Sequence, residues 1–203
     1  MRKLGSTIAL IFIMLWTYGQ DYNQKIEDYR TEFKDELISG ERAPLEREDL
    51  QHIHFYEPDS NYRVIAQLTF IHDEQPFIIP TSSGKEKRYT RYALVDFELS
   101  GKKLRLTLYK SVLTANIATY TDYLFLPFTD ATNDDETYGG GRYLDVKRSE
   151  INGNKLQIDF NLAYNPYCAY SSGYNCPIPP QENALYIPIE AGEKKFTGLY
   201  KKK

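Results

Sequence analysis

The spacing of apolar residues changes period once along the chain, from helical to strand-like. Tyr22, Ile26, Tyr29, Phe33 and Leu37 recur at three- and four-residue steps, which lines one face of an α-helix. This predicts an amphipathic helix over 21–39, with Asp21 as N-cap and Ser39-Gly40 as its stop. Further on, apolar and polar residues alternate singly, as half-buried strands require. Val64, Ala66, Leu68 and Phe70 alternate with Arg63, Gln67 and Thr69, and a short run follows over 76–81. Ala93, Val95, Phe97 and Leu99 alternate with Asp96 and Glu98; Leu104, Leu106 and Leu108 alternate with Arg105 and Thr107. Ser100-Gly101 between them makes this the clearest hairpin in the chain.

Residues 123–128 form a near-continuous apolar run, which predicts burial on both faces. Two further strands, 142–147 and 155–161, are expected to join through a turn at Asn152-Gly153. The last strand is expected over 185–190, where Leu185, Ile187 and Ile189 alternate with Tyr186 and Glu190. No internal repeat, low-complexity tract or linker interrupts the pattern. Many strands in hairpin order behind one N-terminal helix predict a mainly β fold, either an antiparallel sandwich or a partly closed barrel. A chain of 203 residues suits one domain, expected over 20–203.

The first nineteen residues change the compartment. Arg2 and Lys3 precede an apolar run from Ile8 to Trp16, and Thr17 and Gly19 put small residues ahead of Gln20. That is the layout of a cleaved export signal, and the run falls short of the ~20 apolar residues of a membrane span. The mature protein is therefore expected in the periplasm or outside the cell, with no stable membrane insertion. Losing Arg2 and Lys3 takes the formal charge from −3 to −5, which disfavours nucleic acid and anionic membranes as partners. The 18 tyrosines suit half-buried strand faces and wet pockets, because the ring packs while the hydroxyl stays bonded.

Candidate chemistry gathers in the C-terminal half. In an exported protein Cys168 and Cys176 read first as a disulfide, closing a short loop that stabilises by roughly 2–3 kcal/mol. A metal site would need further ligands, and His52, His54 and His72 lie far upstream without ligand spacing. Alternation puts Asp145 with Tyr143 on one strand face, and Asp159 with Asn161 on another. Pairing of those strands would bring the two aspartates together as an acid and a base; the bland alternative is a brace that pins loops. The acidic loop 130–136 lacks the glycine and bidentate glutamate of an EF-hand, so it reads as a solvated turn. Gly139-Gly140-Gly141 precedes no Lys-Ser/Thr pair, so it is a tight turn rather than a phosphate loop. The chain has no His-Glu-x-x-His helix and no Gly-x-Ser-x-Gly elbow.

The order of these pieces resembles a bacterial family known only as domain-of-unknown-function family sixteen eighty-four. The residues that carry the likeness are Leu124 to Phe128, Thr137 to Asp145, Asp159-Phe160-Asn161, Ala163 to Pro166, Cys168-Ala169-Tyr170, Cys176-Pro177, Pro179-Pro180, Glu182-Asn183 and Ala191-Gly192-Glu193. Upstream, Pro44-Leu45 and Tyr62-Arg63-Val64 join them. The resemblance implies one self-contained domain with a shared site around Arg142, Asp145, Asp159, Asn161, Asn165, Glu182 and Asn183. It implies no reaction.

Three functions compete. The favoured one is an exported domain that binds a small polar ligand in a Tyr/Asn/Asp-lined pocket, without metal or cofactor, using Arg142, Tyr143, Asn161, Asn165, Glu182 and Asn183. The second is a hydrolase with Asp145 and Asp159 as its catalytic carboxylates. The third is a structural or interaction protein of the cell envelope. The sequence leaves oligomeric state open.

Overall fold

The computed structural model describes residues 4–113, 117 and 120–202, with side chains from Asp21 onward. The expected export signal lies outside the residues whose side chains are described. Helix α1 (Leu4–Leu37) precedes strands β1 (Arg63–Phe70), β2 (Phe77–Pro80), β3 (Glu86–Leu99), β4 (Lys102–Ser111), β5 (Tyr123–Phe128), β6 (Arg142–Lys147) and β7 (Lys155–Asp159). The strands form one antiparallel sheet in the order β6-β5-β4-β3-β1-β7, with β2 added to β3, curled into a half-barrel. The mainly β expectation and the β3–β4 hairpin hold. Leu99 pairs with Lys102 across Ser100 and Gly101, both at positive φ (51° and 74°), the two-residue turn that suits strand twist.

One sheet face carries the main core. Val95 and Phe97, Leu106 and Leu108, Leu124 and Leu126, Leu144 and Val146, and Leu156 and Ile158 pack there. Leu185, Ile187, Ile189 and Ala191 from the C-terminal segment close it. Helix α1 buries Tyr22, Ile26, Phe33 and Leu37, the expected stripe, with Tyr29 half-buried beside them. Phe33 and Leu37 meet Leu45, Ile53 and Tyr170 in a second cluster. A third, Ile79, Tyr89 and Tyr109 with Phe77 and Phe125, comes from β2 to β5. Phe125 lies there by strand alternation, between the core residues Leu124 and Leu126, and Tyr89 lies there because the irregularity between Arg91 and Ala93 shifts β3 by one residue.

Four expectations are corrected. Asp21 is no N-cap: the helix continues N-terminal to it, and Asp21 instead pairs with Lys25 at 2.7 Å. Residues 185–190 are not a strand, although Leu185, Ile187 and Ile189 are buried and Tyr186 is 84% exposed. The alternation is real, but Pro188 has no N–H to give a ladder. The strand at 155–161 stops at Asp159, whose carboxylate accepts from the Asn161 N–H and starts a 3₁₀ turn over Phe160–Leu162.

The fourth correction decides the site. β6 and β7 do not pair across Asn152-Gly153. The turn exists, closed by reciprocal hydrogen bonds between Asn152 and Lys155, but β7 pairs with β1, and β6 with β5. The two strands are opposite edges of the sheet, five strand spacings or about 24 Å apart along it. A turn signal shows that the chain reverses; it does not say which strand the next one will join.

Candidate functional site

Asp145 and Asp159 are separated, and α1 shows by how much. The Tyr22 hydroxyl donates to Asp159 at 3.0 Å, whereas Glu36 is the helix carboxylate that acts on Asp145. Those two helix positions are about 21 Å apart along the axis. The proposed acid–base pair does not exist, because a glycosidase pair sits within about 10 Å. Asp159 is a brace: it also accepts from the Asn161 N–H at 3.0 Å and side chain at 2.8 Å. Asn161, fully buried, donates further to the Asp59 carbonyl and the Tyr22 hydroxyl, each at 2.8 Å. The pair therefore ties helix, loop and sheet edge together.

Arg142 is fully buried and turned into the protein. Its guanidinium donates to Asp130 at 2.8 Å, to the Ile189 carbonyl at 2.8 Å and to the Ala191 carbonyl at 2.5 Å. Asp130 spends its other oxygen on Thr132 and on the Ile189 N–H, so the acidic loop is a brace here rather than a solvated turn. Glu193, also fully buried, accepts from the Tyr170 hydroxyl at 2.7 Å and from the Asn165 N–H at 2.7 Å. Burial pushes its carboxyl up to about 7, the hydrogen bonds from Asn165 and Tyr170 opposing the shift. The Asn165 amide donates to the Lys194 carbonyl at 2.8 Å. This hub holds the C-terminal segment where a strand ladder would otherwise be needed.

Glu182 and Asn183 serve packing in a similar way. Glu182 pairs with Arg91 at 2.8 Å and accepts from the Tyr109 hydroxyl at 2.6 Å. Pro127 in β5 offers no N–H to β4, and among the described residues the β4–β5 register is the single pair Tyr109↔Phe125. Asn183 fills the gap: it accepts from the Thr107 N–H and donates to the Thr107 and Pro127 carbonyls at 2.9 and 2.6 Å. Gly141 explains the triple glycine. It sits at φ 82°, and a Cβ there would meet the Phe128 carbonyl at 2.6 Å and Pro179 at 2.7 Å.

Of the expected site residues, only Tyr143, Asp145 and Cys176 reach one place, a cavity of about 920 Å³. Strand alternation puts Tyr143, Asp145 and Lys147 on the β6 face opposite Leu144 and Val146, and Tyr123 brings the same face of β5. Helix α1 contributes Tyr29, Phe33 and Glu36, one face by their spacing. The C-terminal segment supplies Tyr164, Tyr167, Tyr174 and the Cys176-Pro177 wall. That wall is fixed by the Cys168–Cys176 disulfide, Cα–Cα 6.3 Å. The Tyr143 hydroxyl also donates to the Pro177 carbonyl. The Tyr29 hydroxyl is spent on the Leu162 carbonyl at 2.9 Å and that of Tyr174 on the Arg42 carbonyl at 2.5 Å. These tyrosines thus present ring surface more than hydroxyls.

The aromatic wall is continuous. Ring centroids lie 5.6 Å apart for Phe33 and Tyr164, 5.9 Å for Tyr143 and Tyr164, and 4.8 Å for Phe125 and Tyr143. Asp145 is open to water through the cavity, yet protein atoms crowd it closely. Burial pushes its carboxyl up to about 6, the Tyr164 hydroxyl opposes this, and the Glu36 charge adds to it. Lys87 enters the cavity from β3, and burial alone lowers its ammonium. The sequence offered one signal for this wall, the abundance of tyrosine. It gave no sign of which tyrosines converge, because they come from a helix, two strands and a loop.

A family model described as "Protein of unknown function (DUF1684)" matches residues 48–194. The chain belongs to this family. The DUF1684 match takes in all seven strands, Asp145, Tyr164 and the disulfide, and begins after α1, so the Tyr29 and Glu36 side of the cavity lies outside it. The chain is also similar to a solved structure, the solution NMR structure of the uncharacterised protein from gene locus rrnAC0354 of Haloarcula marismortui. Identity is 31%, the TM-score is 0.67, and the match covers 88% of this chain and 96% of that one. Comparison with curated proteins gives no match.

Proposed function

We propose that this DUF1684 domain binds a small polar ligand in the tyrosine-walled cavity, with Asp145 as the group that fixes it. The observation that carries this reading is a water-accessible carboxylate in a cavity of about 920 Å³, near the upper end for small-molecule sites, with none of the described ion pairs made to it. Arg142, Asn161, Asn165, Glu182 and Asn183 leave the ligand set and support the walls. Export to the periplasm or beyond remains part of the proposal; it rests on residues 1–19 and is supported by the disulfide. A thermal-shift and NMR screen of the purified chain against sugars, small acids and small amines tests the binding reading. We expect at least one class to raise the melting temperature and to move cavity tyrosine resonances. Silence from every class overturns it.

A second reading, hydrolysis, moves from the Asp145/Asp159 pair to Asp145 with Glu36, since Glu36 is the carboxylate that raises Asp145. Two carboxylates in one cavity, one of them raised by burial, suit acid–base work. Turnover of a chromogenic glycoside or ester that disappears in Asp145→Asn would favour it over simple binding.

A further inference from the structure

We propose that the Asp145 end of the cavity takes an organic cation, the ammonium or quaternary ammonium group of the bound ligand. This rests on the binding reading above and names the ligand's chemical class. The first ground is charge. Other carboxylates packed into this protein are either met by a cation, as Asp130 is by Arg142 and Glu74 and Glu182 are by Arg91, or held by several hydrogen-bond donors, as Glu193 and Asp159 are. Asp145 and Glu36 enter none of the ion pairs among the described residues. The groups acting on Asp145 are the Tyr164 hydroxyl and Glu36, a second negative charge. Arg42, Lys87 and Lys147 also line the cavity, but among the described residues none of them forms an ion pair with Asp145 or Glu36 and no cation figures among the groups acting on Asp145.

The second ground is the wall. Tyr29, Tyr123 and Tyr164 line the cavity together with Asp145; burial raises each of their hydroxyls, and the Asp145 charge adds to it. The face of a tyrosine ring is the negative side of its quadrupole and attracts a cation within about 6 Å. Rings flanking one carboxylate form the kind of cage that holds a quaternary ammonium. An anion at this place would face two carboxylates, neither of them in an ion pair with a cation among the described residues. A hard metal ion would need more oxygen ligands, and no group of three or more metal-ligating side chains occurs among the described residues.

The test is an NMR and calorimetric titration of the full chain with choline and with 3,3-dimethylbutan-1-ol, its neutral carbon isostere, beside acetate and glucose. Choline should saturate, shift the Tyr29, Tyr123 and Tyr164 resonances, and bind roughly tenfold or more tighter than the isostere. Asp145→Asn should weaken choline by about tenfold and leave the isostere unchanged. Glu36→Gln, on the exposed helix surface, should do the same to a smaller extent and guards against a folding defect at Asp145. Equal binding of choline and its isostere overturns the cation assignment, as does choline binding indifferent to both substitutions. Saturable binding of acetate or glucose alone also overturns it while leaving the cavity a binding site. No response to any of the four probes sinks the cation assignment and counts against the binding reading too.

Discussion

Arg142 and Asp145 share strand β6 and face opposite sides of the sheet, and they teach opposite lessons about how a fold treats a charge. Arg142 points into the hub, where Asp130 and the carbonyls of Ile189 and Ala191 accept from its two terminal nitrogens. Asp145 points into the cavity, where no cation meets it and burial raises its carboxyl to about 6. The sheet carries one charge as a brace and leaves the other unmet. A protein keeps an unpaired, crowded charge at a cost in stability, and such groups concentrate where something binds or reacts. Glu193 sharpens the contrast. It too is raised, to about 7, but its oxygens accept from Tyr170 and Asn165, so it has no capacity to spare for a ligand.

Substitutions on the two faces should separate these roles. The largest effect belongs to Arg142→Leu, which leaves Asp130 buried without its partner and the C-terminal carbonyls unpaired. We expect a loss of about 3–5 kcal/mol in urea unfolding; a cost under about 1 kcal/mol would mean that the hub is not a brace. Next, the double change Cys168→Ser and Cys176→Ser should cost roughly 2–3 kcal/mol by freeing the loop in the unfolded chain. It should also loosen the Pro177 wall, so ligand affinity should fall with it, which the hub substitution alone does not require.

The smallest effect has the opposite sign. A carboxyl raised in the folded state contributes stability that is complete below its unfolded value, near 4, and is lost as pH rises through about 6. Asp145→Asn removes that penalty. The variant should melt higher than the parent above pH 6 and level with it below pH 4. Melting curves across pH 3.5–8 read this directly, and a variant less stable at pH 8 would place Asp145 among the braces.

Much of the fold could be read from the residues. The helical stripe Tyr22 to Leu37, the Ser100-Gly101 hairpin and the alternation in β1, β3 and β4 depend on neighbours a few positions apart, and local periodicity records such contacts. The disulfide was legible as well, because its two cysteines are close in sequence. The site was not. Asp159 and Asn161 look like functional groups in a string of polar residues, but Tyr22 and Asp59, far upstream, claim them. Asn183 looks like a ligand and instead spans the gap that Pro127 opens between β4 and β5. Glu36 gave no signal, being one of many acids on an exposed helix face.

The sequence by itself determined the element types, the faces that turn inward and the cysteine clasp, because each follows from spacing over a few residues. Only the tertiary structure decided that β6 and β7 are opposite edges of the sheet. It alone decided that a helix face, two strands and a C-terminal loop close around Asp145. The reason is physical: strand partners and cavity walls are chosen by contacts between residues distant in sequence, and the alternation within one strand is the same whichever neighbour it joins.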